Sequence, residues 1–175
     1  MKKPALVCWF GFLVVLPLSL GAHQVPSSTR ISSSTTGISG HKNPEKIPLH
    51  VAAFSWFEIA ATNMIDGEHP YRFAQDISNT RLSDVDQGVL KVAVFDFYLS
   101  YAPLLAAYQA KASTGKATGN DTRAFNKAKC QLALDEYEKA SQQMSAEDAK
   151  QFAGYIEGWK HRMSIDPGTG SELTH

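Results

Sequence analysis

An aspartate in the most apolar segment of this 175-residue chain is the first candidate for chemistry. Asp96 lies within VAVFDFYLSY, residues 92–101, where burial raises the pKa of a carboxyl group unless a cation offsets it. A perturbed carboxyl group of this kind is a candidate general acid or base. The alternative interpretation is a structural ion pair or a position at the solvent edge. The cations that could pair with it are Lys91, Arg72, Arg81 and Arg123.

Acidic and histidine side chains on and after the first predicted helix form a second candidate set. His50 and Glu58 are eight residues apart, about two helical turns, so they share one face of that helix. With His69 or Asp66 beyond the next turn, Glu58 would form a carboxylate–imidazole cluster suited to hydrolysis or metal binding. Helical metal sites usually place two histidines at i and i+4, and the sequence has no such spacing. We therefore predict no bound metal and no cofactor.

Three tyrosines provide a possible ligand surface. Tyr98, Tyr101 and Tyr108 could line a groove for an aromatic or peptide ligand, and packing in the core or at its rim is the alternative. The sequence has no Gly-x-Ser-x-Gly segment and no glycine-rich phosphate loop, so we predict no catalytic residue. The candidate binding residues are Asp96, Tyr98, Tyr101, Glu58 and His50.

The elements that must position these residues are helices. Apolar residues recur at helical spacing through residues 48–166, without sustained strand alternation. We predict helices over 49–65, from the N-cap Ser83 to about Tyr108, from a loop at 113–121 to about Met144, and from the N-cap Ser145 to Asp166. This pattern predicts a single all-α domain of about four helices in an antiparallel bundle. A compact orthogonal arrangement is the alternative, because the link at 66–82 is long and is predicted to be irregular.

The second predicted helix is apolar on nearly every side. Only Lys91, Asp96, Ser100 and Pro103 interrupt its segment from Val89 to Tyr108. A helix of this composition is usually central and covered by its neighbours, so we predict that it forms the centre of the bundle. A membrane span is disfavoured, because Lys91 and Asp96 would each cost ~2.5–3.5 kcal/mol near the bilayer centre.

The first 22 residues have the layout of a secretory signal peptide. Lys2 and Lys3 precede an apolar run at 5–20, and the small residues Gly21 and Ala22 follow it. We predict cleavage after Ala22, export to the periplasm or the extracellular space, and no integral membrane span in the mature chain. Cleavage removes Cys8, which leaves one cysteine, and the helical pattern around Cys130 predicts that its thiol is buried.

Composition separates a leader and a tail from the helical domain. Between Ser27 and Ser39, nine of thirteen residues are Ser or Thr, so residues 23–47 are predicted to be a disordered leader. Residues 167–175 are predicted to be a disordered tail. Cleavage lowers Lys+Arg from 17 to 15 against 17 Asp+Glu, a net charge of about −2. A slightly acidic chain lacks the basic stripe that nucleic-acid binding requires, so no nucleic-acid partner is expected.

Two helix starts carry a related motif. Leu82-Ser83-Asp84-Val85-Asp86 and Met144-Ser145-Ala146-Glu147-Asp148 share a large apolar residue, Ser, two variable residues and Asp. The pair resembles the doubled L-T-x-x-Q signature of small periplasmic helical stress proteins, with Ser for Thr and Asp for Gln. The resemblance implies an all-helical fold, dimers, and a role as an ATP-independent chaperone or in envelope stress signalling. The architecture is also similar to small exported all-helical bacterial proteins, which implies the fold and no activity.

These observations favour a non-enzymatic exported helical protein that binds a protein or peptide partner or forms a homodimer. The excess apolar surface of the second helix and the lack of catalytic motifs support this expectation. A hydrolase or metal-dependent activity built on Asp96, Glu58, His50 and His69 is the first alternative, and it requires that these side chains converge in one pocket. A structural component of the cell envelope is the second alternative.

Overall fold

The computed structural model describes residues 37–165, which contain five α-helices and a small two-stranded sheet. The helices are α1 (Leu49–Ile65), α2 (Tyr71–Ser78), α3 (Asp84–Ser113), α4 (Gly119–Gln143) and α5 (Ala146–Lys160), and the strands are β1 (Ile38–Ser39) and β2 (Ser164–Ile165). The predicted all-α fold is confirmed, and the arrangement is compatible with a helical bundle. The predicted signal peptide and tail, at 1–22 and 167–175, lie outside the described residues.

The centre of the bundle is α1, which packs against each of the other four helices. Its buried residues are Val51, Ala52, Ala53, Phe54, Trp56, Phe57, Ala60 and Ala61. The four alanines let neighbouring helices approach from several directions, while the aromatic rings fill the space between them. The expectation that α3 would be central is therefore wrong. The short side chains of α1 allow the other helices to pack closely around α1. Helix α3 therefore lies outside the centre and is covered on one face alone.

Helices α3 and α4 form an antiparallel hairpin. Near the connecting turn, the Tyr108 ring stacks on the Phe125 ring with centroids 4.4 Å apart. The capping box of Thr118 and Asp121 begins α4 earlier than the predicted loop at 113–121 allowed. Hydrogen bonds from the Thr118 backbone N–H and from Lys111 lower the pKa of Asp121 to about 2.

The connection at 66–82, predicted to be irregular, contains the short helix α2. Its apolar side is the reason that it forms. Ile77 is fully buried against the core, and Phe73 packs against the same cluster. A single turn of polar chain would leave this part of α1 exposed. Helix α2 was not predicted, because eight residues give too short a pattern for helical periodicity to stand out.

Part of the predicted leader is folded. β1 pairs antiparallel with β2, and a 3-10 helix at Pro44–Lys46 leads to the buried Ile47. At Gly40, a Cβ atom would lie 1.7 Å from the Lys160 carbonyl oxygen, so the chain crosses the end of α5 at a point that only glycine fits. The expectation of disorder is therefore wrong for 37–47. The fourth predicted helix also ends early, at Lys160, because the chain then turns to form β2.

Cys130 is buried on α4, as predicted, and it is a free thiol. Burial raises the pKa of this thiol to about 11, so it stays protonated at neutral pH. Within residues 37–165, α3 is the single helix whose length and hydropathy would suffice to cross a bilayer. The core helix of a soluble protein meets the same criterion.

Candidate docking surface on α3

The two related motifs lie side by side and cap one another. Ser83 Oγ accepts from the Asp86 N–H at 3.3 Å, and Ser145 Oγ accepts from the Asp148 N–H at 3.2 Å. Each carboxylate then reaches the other helix. Asp86 Oδ2 accepts from the Ser145 N–H at 3.1 Å, and Asp148 Oδ2 accepts from the Ser83 N–H at 2.9 Å. These four hydrogen bonds fix the start of α3 beside the start of α5.

Beyond this cap, α3 has a buried face and an exposed apolar face. The buried face comprises Asp86, Leu90, Ala93, Val94, Phe97 and Tyr101. The exposed face comprises Val85, Gly88, Val92, Phe95 and Leu99, which we call the α3 seam. Its four large side chains are between 49% and 78% exposed. Steps of three and four residues place them in one line, about 21 Å long at 1.5 Å per residue.

The spacing of the α3 seam is that of a coiled-coil heptad. Val85, Val92 and Leu99 occupy a positions, and Gly88 and Phe95 occupy d positions. On this register Lys91 is a g residue and Asp96 is an e residue, so opposite charges flank the apolar line. Among the described residues, Lys91 forms no ion pair.

Asp96 forms an ion pair within the chain, with a lysine outside the four predicted partners. Lys139 Nζ lies 2.6 Å from Asp96 Oδ2 and 3.3 Å from Glu136 Oε2. The hydrogen bond with Asp96 raises the pKa of Lys139. The structural ion pair is thus the correct interpretation of Asp96. The partner differs from the four candidates because the α3–α4 hairpin brings position 139 beside position 96.

The acidic and histidine residues of the hydrolase alternative do not converge. Glu58 Oε1 accepts from the Tyr101 hydroxyl at 2.8 Å, whereas His69 Nδ1 lies 3.1 Å from Asp66 Oδ2. In residues 37–165 no group of three His, Cys, Asp or Glu side chains is placed to hold a metal ion. The geometry gives the hydrolase and metal alternatives no support.

His50 has a buried nitrogen without a partner. Its Nε2 atom is inaccessible to solvent and forms no hydrogen bond among the described residues. Burial lowers the pKa of the imidazole, because the charged form loses its hydration. His50 therefore stays neutral in the folded domain at neutral pH, and its Nε2 atom forms no hydrogen bond with Glu58, which instead accepts one from Tyr101.

The three tyrosines do not line one groove. Tyr101 is buried, stacks on Phe97 with centroids 5.2 Å apart, and its pKa is raised first by burial and then by Glu58. Tyr108 stacks on Phe125 at the far end of the hairpin, and its hydroxyl lies 3.0 Å from Thr122 Oγ1. Tyr98 is partly buried against the core. Core and rim packing accounts for all three positions.

The α3 seam was not predicted as a separate surface. The segment from Val89 to Tyr108 is apolar on nearly every side, which hides the heptad line among the residues of the buried face. Lys91 and Asp96, five positions apart in sequence, flank one line of apolar residues, and this placement of charges is the feature of the sequence that indicates the seam.

Comparison of the chain with protein-family models, curated protein sequences and solved structures gives no match.

Proposed function

We propose that this chain is an exported, non-enzymatic helical module that forms a homodimer through the α3 seam. The observation that carries the proposal is a continuous line of exposed large apolar side chains on a helix whose other face is buried. Soluble monomers rarely expose a contiguous apolar patch larger than a few hundred Å², and a line of exposed apolar side chains on a helix suits docking of a second helix. Burial of this apolar surface in a dimer would stabilise the dimer by about 25 cal/mol per Å² of apolar area removed from water.

A second copy of the same chain is the occupant that the flanking charges favour. In a parallel coiled coil, a g residue contacts the e residue five positions later on its partner. Lys91 of one copy would then meet Asp96 of the other, and the twofold axis generates the same pair again. An antiparallel pair would instead bring g towards g and e towards e, without this charge match. The proposal is therefore a parallel pairing of α3 with α3.

The composition of the seam agrees with a weak dimer. β-branched residues at a positions, here Val85 and Val92, favour two-stranded coiled coils. Gly88 at a d position leaves a gap in one layer, because it supplies no side chain to meet its counterpart. A seam of about two heptads is short for a coiled coil, so we expect dissociation at low concentration.

Light scattering and sedimentation of the mature chain, beginning at His23, test this proposal. The wild type should change from monomer to dimer across micromolar concentrations. Leu99→Glu should remain monomeric, because a carboxylate at an a position is buried on pairing. Ile65→Glu is the matched control, since Ile65 is 55% exposed on α1 and Leu99 is 54% exposed on α3. A strictly monomeric wild type, or equal dimerisation of Leu99→Glu, would contradict the proposal.

A client polypeptide is the competing occupant of the same surface. The resemblance of the two capped motifs to helical stress proteins supports this candidate, since it implies chaperone activity. Suppression of aggregation of an unfolding client by a monomeric chain, lost in Leu99→Glu, would favour client binding over self-association. Activity in neither assay would leave the structural envelope component as the better description.

A further inference from the structure

A groove on α5 forms a second surface that shares no residue with the α3 seam. Its volume is about 480 Å³, within the range of small-molecule sites. It lies between the end of α2 and the exposed face of α5. The lining residues are Asn79, Arg81, Gln151, Gly154, Tyr155, Gly158, Trp159 and Arg162.

The groove is positively charged. Arg81 and Arg162 line it, and none of its other lining residues is ionised at neutral pH. Among residues 37–165, neither arginine forms an ion pair. Arg81 also lines a neighbouring cavity with Glu147 and Asp148, and Asp76, which acts on Tyr155, accepts a hydrogen bond from Asn63 at 2.6 Å. Two guanidinium groups without a carboxylate partner favour an anionic ligand.

An aromatic wall lies beside these charges. The Trp159 indole N–H donates to Ser55 Oγ at 3.3 Å, which fixes the ring against α1. The Arg162 guanidinium lies over the same indole, 5.2 Å from its centroid. The Tyr155 ring centroid is 6.3 Å from that of Trp159. The anchored indole and the neighbouring phenol ring both line the groove and give it apolar surface against which a ligand ring can pack.

The floor of the groove is made by two glycines inside α5. Glycine in a helix interior is destabilising relative to alanine, so its presence needs a reason. A Cβ atom built at Gly154 or Gly158 would meet nothing within 4 Å, so no close contact inside the chain requires glycine there. Their effect is to leave the helix backbone open between Gln151 and Arg162. A ligand can therefore approach the α5 backbone more closely than it could if residues with side chains occupied positions 154 and 158.

The loop residue Arg81 is held in an unusual conformation. Its φ is 59°, and it is the one non-glycine residue with positive φ in the part of the chain that the structure describes. The Arg81 N–H donates to the Ser78 carbonyl oxygen at 3.0 Å, and Gln151 Nε2 donates to the Thr80 carbonyl oxygen at 3.3 Å. These hydrogen bonds hold the loop on α5, where Arg81 and Arg162 both line the groove.

We infer that this groove binds a small ring-bearing carboxylate, with the carboxylate held by Arg81 and Arg162 and the ring packed against Tyr155 and Trp159. The side-chain amides of Asn79 and Gln151 add donors and acceptors for polar substituents of the ring. Two sources share this chemistry, an aromatic acid and an acidic sugar. The site is independent of self-association, because it lies on α5 and the seam lies on α3.

The inference is tested by adding small ligands to the ¹⁵N-labelled mature chain and monitoring its chemical shifts by NMR. The probes are 4-hydroxybenzoate and glucuronate, with acetate as a carboxylate without a ring and glucose as a ring without a charge. We expect saturable shifts of the Gly154 and Gly158 amides and the Trp159 indole with one ring acid, and a weaker response to acetate and glucose. The acid that binds more tightly identifies the source.

Substitutions in and beside the groove test whether its lining residues bind the ring acid. Arg162→Gln and Arg81→Asn should each weaken binding by about ten-fold or more, since each removes a charge-assisted hydrogen bond. Gly158→Leu fills open space, so it should fold and yet block the groove. Lys150→Gln, which removes an exposed cation of α5 outside the groove, is the control and should bind normally. Absence of shifts with both ring acids, or an affinity of Arg162→Gln equal to that of the wild type, would overturn the inference.

Leu99→Glu, which disrupts the α3 seam, should bind the ring acid like the wild type. A failure of dimerisation and a failure of ligand binding in the groove are therefore distinguishable.

Discussion

Asp86 and Asp148 each complete the N-terminal cap of the helix to which the other belongs. The two carboxylates accept the N-cap N–H groups of Ser145 and Ser83, at 3.1 and 2.9 Å. In an ordinary capping box the acidic residue bonds to the N-cap of its own helix. Here the exchange joins two segments that are 65 residues apart in sequence. It holds the first turn of α3, where the seam begins, beside the first turn of α5.

Removing one carboxylate of this pair should destabilise the domain. Asp86 is 5% exposed, so Asp86→Ala leaves the Ser145 N–H without its acceptor and should lower the free energy of unfolding by about 1–3 kcal/mol. Asp84→Ala is the control, because Asp84 lies in the same first turn and is exposed. Urea denaturation measures both. Equal stability of the two variants would contradict a stabilising role for the exchanged cap.

The same cap predicts a loss of stability in acid. Hydrogen bonds from the Ser83 side chain and backbone lower the pKa of Asp148 below its ordinary value of 3.8. A carboxyl group with a depressed pKa in the fold stabilises the folded state above the unfolded pKa, and that stabilisation is lost as the pH falls through the folded pKa. Asp148→Asn should therefore show a shallower decline in stability below about pH 4 than the wild type.

Exchange of the flanking charges tests the parallel orientation of the proposed dimer. Lys91→Glu alone sets a carboxylate at position 91 against Asp96 of the second copy, and Asp96→Lys alone sets an ammonium group at position 96 against Lys91. Each variant should dimerise about ten-fold more weakly than the wild type at low salt, because like charges then face each other. A mixture of the two variants should form a heterodimer in which opposite charges meet again. Sedimentation of the mixture measures this, and a mixture as weak as its components would argue against parallel pairing.

Filling the glycine layer should strengthen the dimer. In a parallel dimer Gly88 faces Gly88 of the second copy, and a Cβ atom there meets nothing within 4 Å in the monomer. Gly88→Leu adds leucine at a d position, where it suits two-stranded coiled coils, and should tighten dimerisation by about ten-fold. Gly88→Ala is the control, since it gives a similar gain in helix propensity without filling the layer. If the two variants dimerise equally, the layer is not buried.

The partly buried imidazole of His50 predicts a second pH dependence. Its pKa is lowered in the folded domain, so the unfolded chain takes up a proton near the ordinary value of 6.5 while the folded ring remains neutral. Stability therefore falls as the pH falls below 6.5, until the folded pKa is reached. Urea denaturation at about pH 7.5 and about pH 5.5 should show a smaller difference for His50→Leu than for the wild type. His161→Gln, at an exposed position, should retain the wild-type difference.

Local features of the chain predicted much of the fold. The bounds of α1 were predicted correctly, as were the N-caps Ser83 and Ser145 and the burial of Cys130. These features depend on a few adjacent residues, since a cap is set by hydrogen bonds within one turn and amphipathic spacing by the helical period. The short helix α2 and the pairing of β1 with β2 were missed, because both are stabilised by contacts with distant parts of the chain.

The sequence by itself determined which residues share a face of each helix, and the tertiary structure decided which face is covered. The 3.6-residue period places Val92, Phe95 and Leu99 together, but it is silent on whether a neighbour packs there. Packing around the alanine-rich α1 covered one side of α3 and left the seam exposed. The same long-range packing chose Lys139 as the partner of Asp96. Helix periodicity is local, whereas burial depends on every element that competes for the same central position.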